Sequence, residues 1–148
     1  MPVVRSGAVA DLDPTTLYAI LQLRTNVFVV EQVCPYPELD GRDLEPGARQ
    51  LWIERDGEVV ATLRLLKDDG EARIGRVATA PSARGTGLAA ALVQHALDLV
   101  AADDPGADVV LDAQTYLADW YERLGFRPEG NEYVEDGIPH VPMRRAAG

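Results

Sequence analysis

Residues 77–90 read VATAPSARGTGLAA, and this stretch decides the fold of the chain. It opens with β-branched and apolar residues typical of a strand, passes through Pro81 and a turn holding Gly85 and Gly87, and continues into a helical apolar pattern. Glycines let backbone N–H groups approach an anion closely, and a helix N-terminus favours negative charge. The stretch therefore predicts a strand, an anion-binding turn and a helix in succession.

Upstream of this turn the sequence predicts one helix, a long loop and three strands. Asp13 followed by Pro14 suits a helix start, and apolar spacing extends the helix over residues 14–30. Prolines and glycines interrupt any period in residues 33–47, which we interpret as a loop of unusual length. Asp-Gly turns separate the strands that follow. The predicted strands are residues 50–55, 58–67 and 71–80.

Downstream of the turn, helical and strand patterns alternate to the end of the chain. The predicted elements are a helix at residues 85–102, a strand at 108–112, a helix at 115–124, a strand at 126–134 and a last strand starting at His140. With no repeat and no linker, this order indicates one domain over residues 1–148. We expect a mixed α/β (α+β) fold with a mostly antiparallel central sheet flanked by helices.

Composition excludes several classes of function. The chain has 148 residues, with 14 Lys and Arg against 24 Asp and Glu, so its net charge of −10 opposes nucleic-acid binding. It lacks a signal-peptide pattern and a run of 18 apolar residues, so we expect a cytoplasmic protein with no membrane partner. Cys34, His95 and His140 lack zinc-site spacing, so no metal is expected.

Two nucleotide-binding motifs compete for the glycine turn. A nucleotide-hydrolysing P-loop needs Gly-Lys-Ser/Thr, which is absent from this turn. Gly85, Gly87 and Ala90 do satisfy the G-x-G-x-x-A pattern of dinucleotide-binding domains. That pattern normally opens a series of parallel strand–helix units, whereas here it follows an antiparallel meander. A dinucleotide-binding domain remains the less favoured alternative.

The segment Arg84-Gly85-Thr86-Gly87-Leu88-Ala89 fits the pyrophosphate motif Gln/Arg-x-x-Gly-x-Gly/Ala of the GNAT superfamily of N-acetyltransferases. Residues 121–126, YERLGF, resemble the Tyr-x-x-x-Gly-Phe that closes the family's last helix. Residues 23–32, 35–40 and 137–140 resemble the ElaA-like branch. The resemblance implies acetyl-CoA as co-substrate. The cofactor-binding residues that it implies are Val77, Ala78, Thr79, Arg84, Gly85, Thr86, Gly87, Leu88 and Ala89.

Acetyl transfer to an amine requires a proton donor for the departing thiolate, a base for the amine and donors for the oxyanion. The resemblance places the Tyr121 phenol beside the sulfur, although core packing is its alternative role. It also implies backbone N–H donors at residues 77–79. We predict Glu31 as the base and His140 as the second candidate, because imidazole titrates near neutral pH. Cys34 lacks a partner for nucleophilic catalysis.

The acceptor is expected to be a primary amine on a small molecule or a peptide. Acidic residues of the long loop would present negative charge to such a cation. The loop residues that we expect to do so are Tyr36, Glu38, Asp40, Asp43 and Glu45. A catalytically silent CoA-binding module is the alternative, and it would tolerate loss of the Tyr121 hydroxyl.

Overall fold

The computed structural model describes residues 2–33 and 36–148, and these form a mixed sheet flanked by helices. The described strands are β1 (Arg5–Gly7), β2 (Arg49–Arg55), β3 (Glu58–Asp68), β4 (Glu71–Thr79), β5 (Val109–Gln114), β6 (Arg127–Pro128), β7 (Tyr133–Glu135) and β8 (Ile138–Arg145). The α-helices are α1 (Pro14–Thr25), α2 (Leu88–Asp103) and α3 (Ala118–Glu122). The predicted mixed α/β fold is confirmed.

The sheet order is β1-β2-β3-β4-β5-β8-β6, with β7 paired to β8. Among the described residues, β4 and β5 form the parallel pair, and the other neighbours are antiparallel. The parallel pair has two register positions, Ala72 opposite Val109 and Arg73 opposite Val110. Beyond them the two strands diverge, which opens the sheet at the carboxyl ends of β4 and β5.

The two faces of the sheet carry different helices. Successive side chains of a strand point to opposite faces. Leu63 and Leu65 of β3 pack in the large apolar core with α2. On the other face α1 and the segment after it form a small cluster in which Val27 and Phe28 contact Ala78 of β4. No helix in residues 2–33 or 36–148 is long and apolar enough to cross a membrane.

The first helix differs from the prediction of one α-helix over residues 14–30. It begins as predicted, because the Asp13 carboxylate accepts hydrogen bonds from the Thr15 and Thr16 N–H groups. At Asn26 it widens into a π-helix, Asn26–Glu31. The side chains of Val27 and Phe28 in this segment lie in the buried cluster, and such π segments often lie at functional sites.

The bounds of other helices and strands also differ from the prediction. The helix predicted at residues 85–102 begins at Leu88, because Gly85 and Gly87 have φ of +77° and +82°, outside the helical region. The helix predicted at 115–124 is a 3₁₀ turn, Thr115–Leu117, followed by the short α3. The short strand β1 was not predicted, because its three residues are too few to show an alternation of apolar and polar side chains.

The predicted strand at residues 126–134 is two short pieces, β6 and β7. Pro128 removes a backbone donor at the end of the first piece. The last strand begins at Ile138, two residues before its predicted start at His140. Within the predicted loop at residues 33–47, Arg42–Leu44 forms a 3₁₀ turn. The prediction about Cys34 lies outside the described residues.

Candidate active site

A cleft of about 1200 Å³ opens where β4 and β5 diverge. All three candidate catalytic residues, Tyr121, Glu31 and His140, line it. Of the nine predicted cofactor residues, Val77, Ala78, Thr79, Arg84, Gly85, Gly87, Leu88 and Ala89 also line it. Thr86 does not line it; its hydroxyl donates to the Ala83 carbonyl at 2.6 Å and so closes the turn from behind. The divergence of two strands has therefore collected residues from across the chain.

The glycine turn presents bare backbone to one end of the cleft. A Cβ added at Gly85 or Gly87 would meet no atom within 4 Å in the part of the chain that the structure describes. These two positions favour glycine because their φ is positive, not because a side chain would lack space. The first N–H groups of α2 have no partner within the helix. This end of the cleft is suited to a phosphate or pyrophosphate group.

Strand β4 contains a bulge that changes which backbone groups face the cleft. Ala72 N–H donates toward β5, to the Asp108 carbonyl, whereas Ala80 N–H donates toward β3, to the Val60 carbonyl. In a regular strand, residues eight apart face the same neighbour. The register shifts between Gly75 and Ala78, where one extra residue of β4 is inserted opposite β3.

The bulge has a direct consequence for the backbone beyond it. Ala78 pairs with β3, and Ala80 bonds to the same strand. The alternate residues Val77 and Thr79 therefore face away from β3, into the space that β5 has left. The side chains also show the bulge. Ile74 and Ala78 are four residues apart and would share a face in a regular strand. They pack instead in cores on opposite faces of the sheet.

Tyr121 lies at the inner wall of the cleft and is 6% exposed. Its ring packs edge-on against Trp120 and Phe126, with centroid distances of 4.8 and 5.9 Å. Burial, together with the nearby Tyr116, raises the pKa of Tyr121 to about 12. The phenol is therefore protonated at neutral pH and available as a donor. The two roles considered from the sequence, core packing and proton donation, are compatible in this position.

His140 lies on β8 opposite Gln114 of β5 and lines the cleft. Its Nδ1 is 2.7 Å from the Ile138 carbonyl oxygen, which only accepts hydrogen bonds, so Nδ1 carries the proton. In the neutral ring Nε2 is then the unprotonated nitrogen. The Tyr133 ring stacks on the imidazole at 5.7 Å. Burial and the neighbouring Asp112 carboxylate raise the pKa of Tyr133 to about 12.

Glu31 lies at the end of the π-helix and is bound by the glycine turn. Both of its carboxylate oxygens accept hydrogen bonds from the Arg84 guanidinium at 2.6 Å. Arg84 Nε also donates to the Thr79 carbonyl. These hydrogen bonds and the charge of Arg84 lower the pKa of Glu31, although both side chains are more than 40% exposed. The structure thus joins Glu31 to the anion-binding end of the cleft and makes it a weaker base.

Opposite this end, the long loop is fixed by a buried charge network that the sequence analysis did not predict. We call it the arginine cluster. Its members are Arg24, Arg64, Arg76, Glu38, Asp40 and Asp43. Arg24 is fully buried, and Glu38 is 5% exposed. The sequence signal is a charged residue on the apolar side of α1, between Ile20 and Phe28. Three arginines and three carboxylates give the cluster no net charge.

The arginine cluster also corrects the expectation for the acidic loop. Glu38 and Asp43 pair with Arg24, and Asp40 pairs with Arg64. Burial acts to raise the pKa of Asp40, but the bond and charge of Arg64 outweigh it and lower the pKa to about 2. Glu45 pairs with Arg42, and the Tyr36 ring lies beneath the Arg76 guanidinium. These residues do not present free negative charge to an amine, so that expectation is wrong.

A sheet opened between two parallel strands, with an anion-binding turn at one end of the opening, defines the fold of a class of acyltransferases. Residues 18–147 match the family described as acetyltransferase (GNAT) domain. The chain belongs to this family, and the resemblance stated from the sequence is confirmed.

Relatives place the chain more closely. It is 51% identical over 140 residues to a UPF0039 protein of Mycobacterium tuberculosis, covering 91% of this chain and 87% of that protein. It is 40% identical over 139 residues to protein ElaA of Escherichia coli, covering 92% and 91% of the two chains. An acyl-CoA N-acyltransferase from Pseudomonas aeruginosa superposes with a TM-score of 0.93 at 44% identity, covering 99% and 100%. The chain is ElaA-like.

Proposed function

We propose that this protein transfers the acetyl group of acetyl-CoA directly to a primary amine of a small molecule or a flexible peptide terminus. One observation carries the proposal. A single cleft brings together the glycine turn, the backbone of Val77 and Thr79 that faces away from β3, the buried Tyr121 phenol and the His140 imidazole. The similar Pseudomonas protein described as an acyl-CoA N-acyltransferase supports the same class of donor.

The residues of the cleft fit the parts of acetyl-CoA in order. The N–H groups at Gly85–Ala89 suit the pyrophosphate, because positive φ at both glycines leaves the backbone open. The backbone groups of Val77 and Thr79 that face away from β3 suit the amide groups of the pantetheine arm, apart from the Thr79 carbonyl, which accepts a hydrogen bond from Arg84. The arm would thereby lie in the place that β5 leaves vacant in the sheet. This order ends with the thioester beside the bulge of β4.

Acetyl transfer needs a base that accepts a proton from the attacking nitrogen and an acid that donates one to the departing sulfur. The amine nitrogen attacks the thioester carbon, and the carbon–sulfur bond breaks. Tyr121 donates its phenolic proton to the departing sulfur, a role consistent with a pKa of about 12 that keeps the phenol protonated. Strand N–H groups near Val77 bind the transient oxyanion. An acceptor that arrives as an ammonium ion first releases one proton to water, and after attack its nitrogen loses a second proton, which a base in the cleft accepts.

We assign the acceptance of that proton to His140 rather than Glu31. The Nδ1 contact with the Ile138 carbonyl leaves Nε2 as the basic nitrogen, and the ring lines the cleft. Glu31 is engaged by Arg84, and its pKa is lowered. A carboxylate that holds its charge in an ion pair accepts a proton less readily. Water can connect the amine to Nε2 if the two are not in direct contact.

The experiment that tests the proposal has two stages. Thermal unfolding is measured first with acetyl-CoA, at a hundred times its dissociation constant, and with NAD at the same concentration. Acetyl-CoA is expected to add about 2.7 kcal/mol to the free energy of unfolding, which raises Tm by roughly 5 to 10 °C at this chain length. Stabilisation by NAD alone would establish the dinucleotide-binding alternative instead.

Turnover is measured next as thiol release from acetyl-CoA across a panel of amines. Polyamines, amino acids, aminoglycosides and peptides with free N-termini cover the acceptor classes. Thiol release that depends on one amine class identifies an acetyltransferase that acts on amines of that class. Binding of acetyl-CoA without amine-dependent release would identify a silent CoA-binding module.

A further inference from the structure

Arg76 has a backbone conformation that is unusual inside a strand, with φ of +53°. Asp56, Asp69 and Asp136 share a positive φ, but each precedes a glycine in a turn. An L-residue with a long side chain is strained in this region, where glycine is the favoured residue. Such strain persists only where the surroundings determine it. The contacts of the Arg76 side chain are therefore informative.

Three residues of the long loop surround the Arg76 guanidinium, and we call them the Arg76 clamp. They are Glu38, Asp40 and Tyr36. Arg76 Nε forms an ion pair with Glu38 Oε1 at 2.8 Å, and Nη2 donates to the Glu38 carbonyl and to Asp40 Oδ2 at 3.3 Å. The Tyr36 ring lies 5.3 Å from the guanidinium carbon.

The clamp is itself anchored in the interior. Glu38 Oε2 accepts a hydrogen bond from Arg24 Nε at 2.7 Å, so the two carboxylate oxygens of Glu38 serve different arginines. Arg24 is fully buried on α1 and also donates to the Glu38 carbonyl. A continuous set of contacts therefore runs from α1 through Glu38 to Arg76.

Arg76 lies at the point where β4 changes register. Gly75 pairs with Arg64, and Ala78 pairs with Thr62, so Arg76 and Val77 stand together opposite Leu63. This extra residue is what turns the backbone of Val77 and Thr79 toward the cleft. A side chain that holds Arg76 at positive φ therefore acts on the direction of the neighbouring N–H groups.

We infer that Arg76 is a positioning residue, whose side chain is held by the Arg76 clamp so that the strained bulge presents the strand backbone to the thioester. The inference deepens the proposed acetyl transfer and rests on it. The guanidinium acts through its own backbone and through Val77, and it does not have to touch either substrate. Loss of the clamp would misdirect the oxyanion donors without removing any of them.

A comparison of Arg76→Ala with Arg76→Gly tests this inference, because both remove the side chain but only glycine adopts positive φ without strain. We measure kcat at saturating acetyl-CoA and amine, the Kd of acetyl-CoA and Tm. Arg76→Ala is expected to lower kcat about tenfold, and Arg76→Gly to lower it threefold or less. The Kd of acetyl-CoA should change little in either variant.

Asp56 provides the matched control, since its φ of +54° lies in the remote turn between β2 and β3. Asp56→Ala should reduce Tm without changing kcat, which separates general strain from the role of the bulge. Glu38→Gln breaks the clamp from the loop side and is expected to lower kcat in the wild-type background. It should lower kcat much less in the Arg76→Gly background, because the contact is already gone.

Two outcomes would overturn the inference. Equal losses of kcat in Arg76→Ala and Arg76→Gly would mean that the guanidinium itself contacts a substrate. Wild-type kcat in Arg76→Ala would mean that the bulge needs no clamp. If the wild-type protein transfers no acetyl group, crystal structures of both variants still decide the structural step. The bulge should persist with glycine at position 76 and rearrange with alanine, and persistence in both would refute the clamp.

Discussion

The two ends of the cleft are built in different ways. At the cofactor end, Gly85 and Gly87 set the backbone over a few consecutive residues, and α2 follows at once. At the end lined by the long loop, which we propose receives the acceptor and call the acceptor end, the wall depends on ion pairs between residues far apart in sequence, such as Asp40 with Arg64 and with Arg76. The first end is made of main chain and the second of side chains. Substitutions at the cofactor end should therefore change the binding of acetyl-CoA, and substitutions at the acceptor end should change turnover.

The largest expected effect concerns the bond that breaks between the two ends. Tyr121→Phe preserves the edge-on packing against Trp120 and Phe126 but removes the proposed proton donor. We expect kcat to fall 10²- to 10⁴-fold, with little change in the Kd of acetyl-CoA. Steady-state kinetics and Tm are measured in parallel. Turnover equal to that of the wild type would make Tyr121 a core residue only.

The next effect concerns the proposed base. His140→Gln removes the proposed base, so kcat/KM for the best amine should fall by about 10², the low end for general base catalysis. A base must be unprotonated to act, so the wild-type profile should lose activity as pH falls. That acid limb should be absent from the residual activity of His140→Gln. A variant that keeps the limb would assign the titrating group to another residue.

At the cofactor end, Gly87→Glu places a side chain and a charge at a backbone position with φ of +82°. The stabilisation of about 2.7 kcal/mol expected from a hundredfold excess of acetyl-CoA should disappear. Gly57→Glu is the matched control, because Gly57 has φ of +78° in a remote turn with nothing within 4 Å of an added Cβ among the described residues. It should lower Tm but leave the ligand-induced shift intact. Retained binding in a folded Gly87→Glu protein would move the pyrophosphate site elsewhere.

The same contrast explains what the sequence predicted. The turn at residues 84–89 was readable because glycine spacing, the preceding strand and the following helix are local patterns. Tyr121 was selected as a candidate catalytic residue because Gly125 and Phe126 follow it at the spacing of the family motif. In the structure Tyr121 lines the cleft. The π-helix at Asn26–Glu31 was missed, because its apolar residues satisfy the pattern of an ordinary helix.

The arginine cluster was not readable for a different reason. Which carboxylate pairs with Arg24 depends on how the loop folds back onto β2 and β3, and spacing does not encode that choice. The bulge at Arg76 was also missed, since arginine carries no signal for positive φ. Sequence reasoning assigned Glu31 to the acceptor because it ends the first helix beside the long loop. Its ion pair with Arg84, 53 residues away, is not encoded in local spacing.

Glu31→Gln should have the smallest effect, and it tests to which end of the cleft Glu31 belongs. Exposed ion pairs contribute about 1 kcal/mol or less. Removing the carboxylate leaves the Arg84 charge uncompensated beside the glycine turn, which favours the anionic cofactor. We expect the Kd of acetyl-CoA to fall about threefold at low salt, and the difference to vanish at high ionic strength, because salt screens exposed charges.

The acceptor KM should stay unchanged in Glu31→Gln if the ion pair belongs to the cofactor end. Asp103→Asn is the matched control, since Asp103 forms a similarly exposed pair with Arg49 away from the cleft. It should leave both Kd and KM unaltered. The opposite result, a raised acceptor KM with an unchanged Kd for acetyl-CoA, would return Glu31 to the acceptor end. Because Arg84 spans the turn and the π-helix, that result would also mean that the two ends are coupled through this pair.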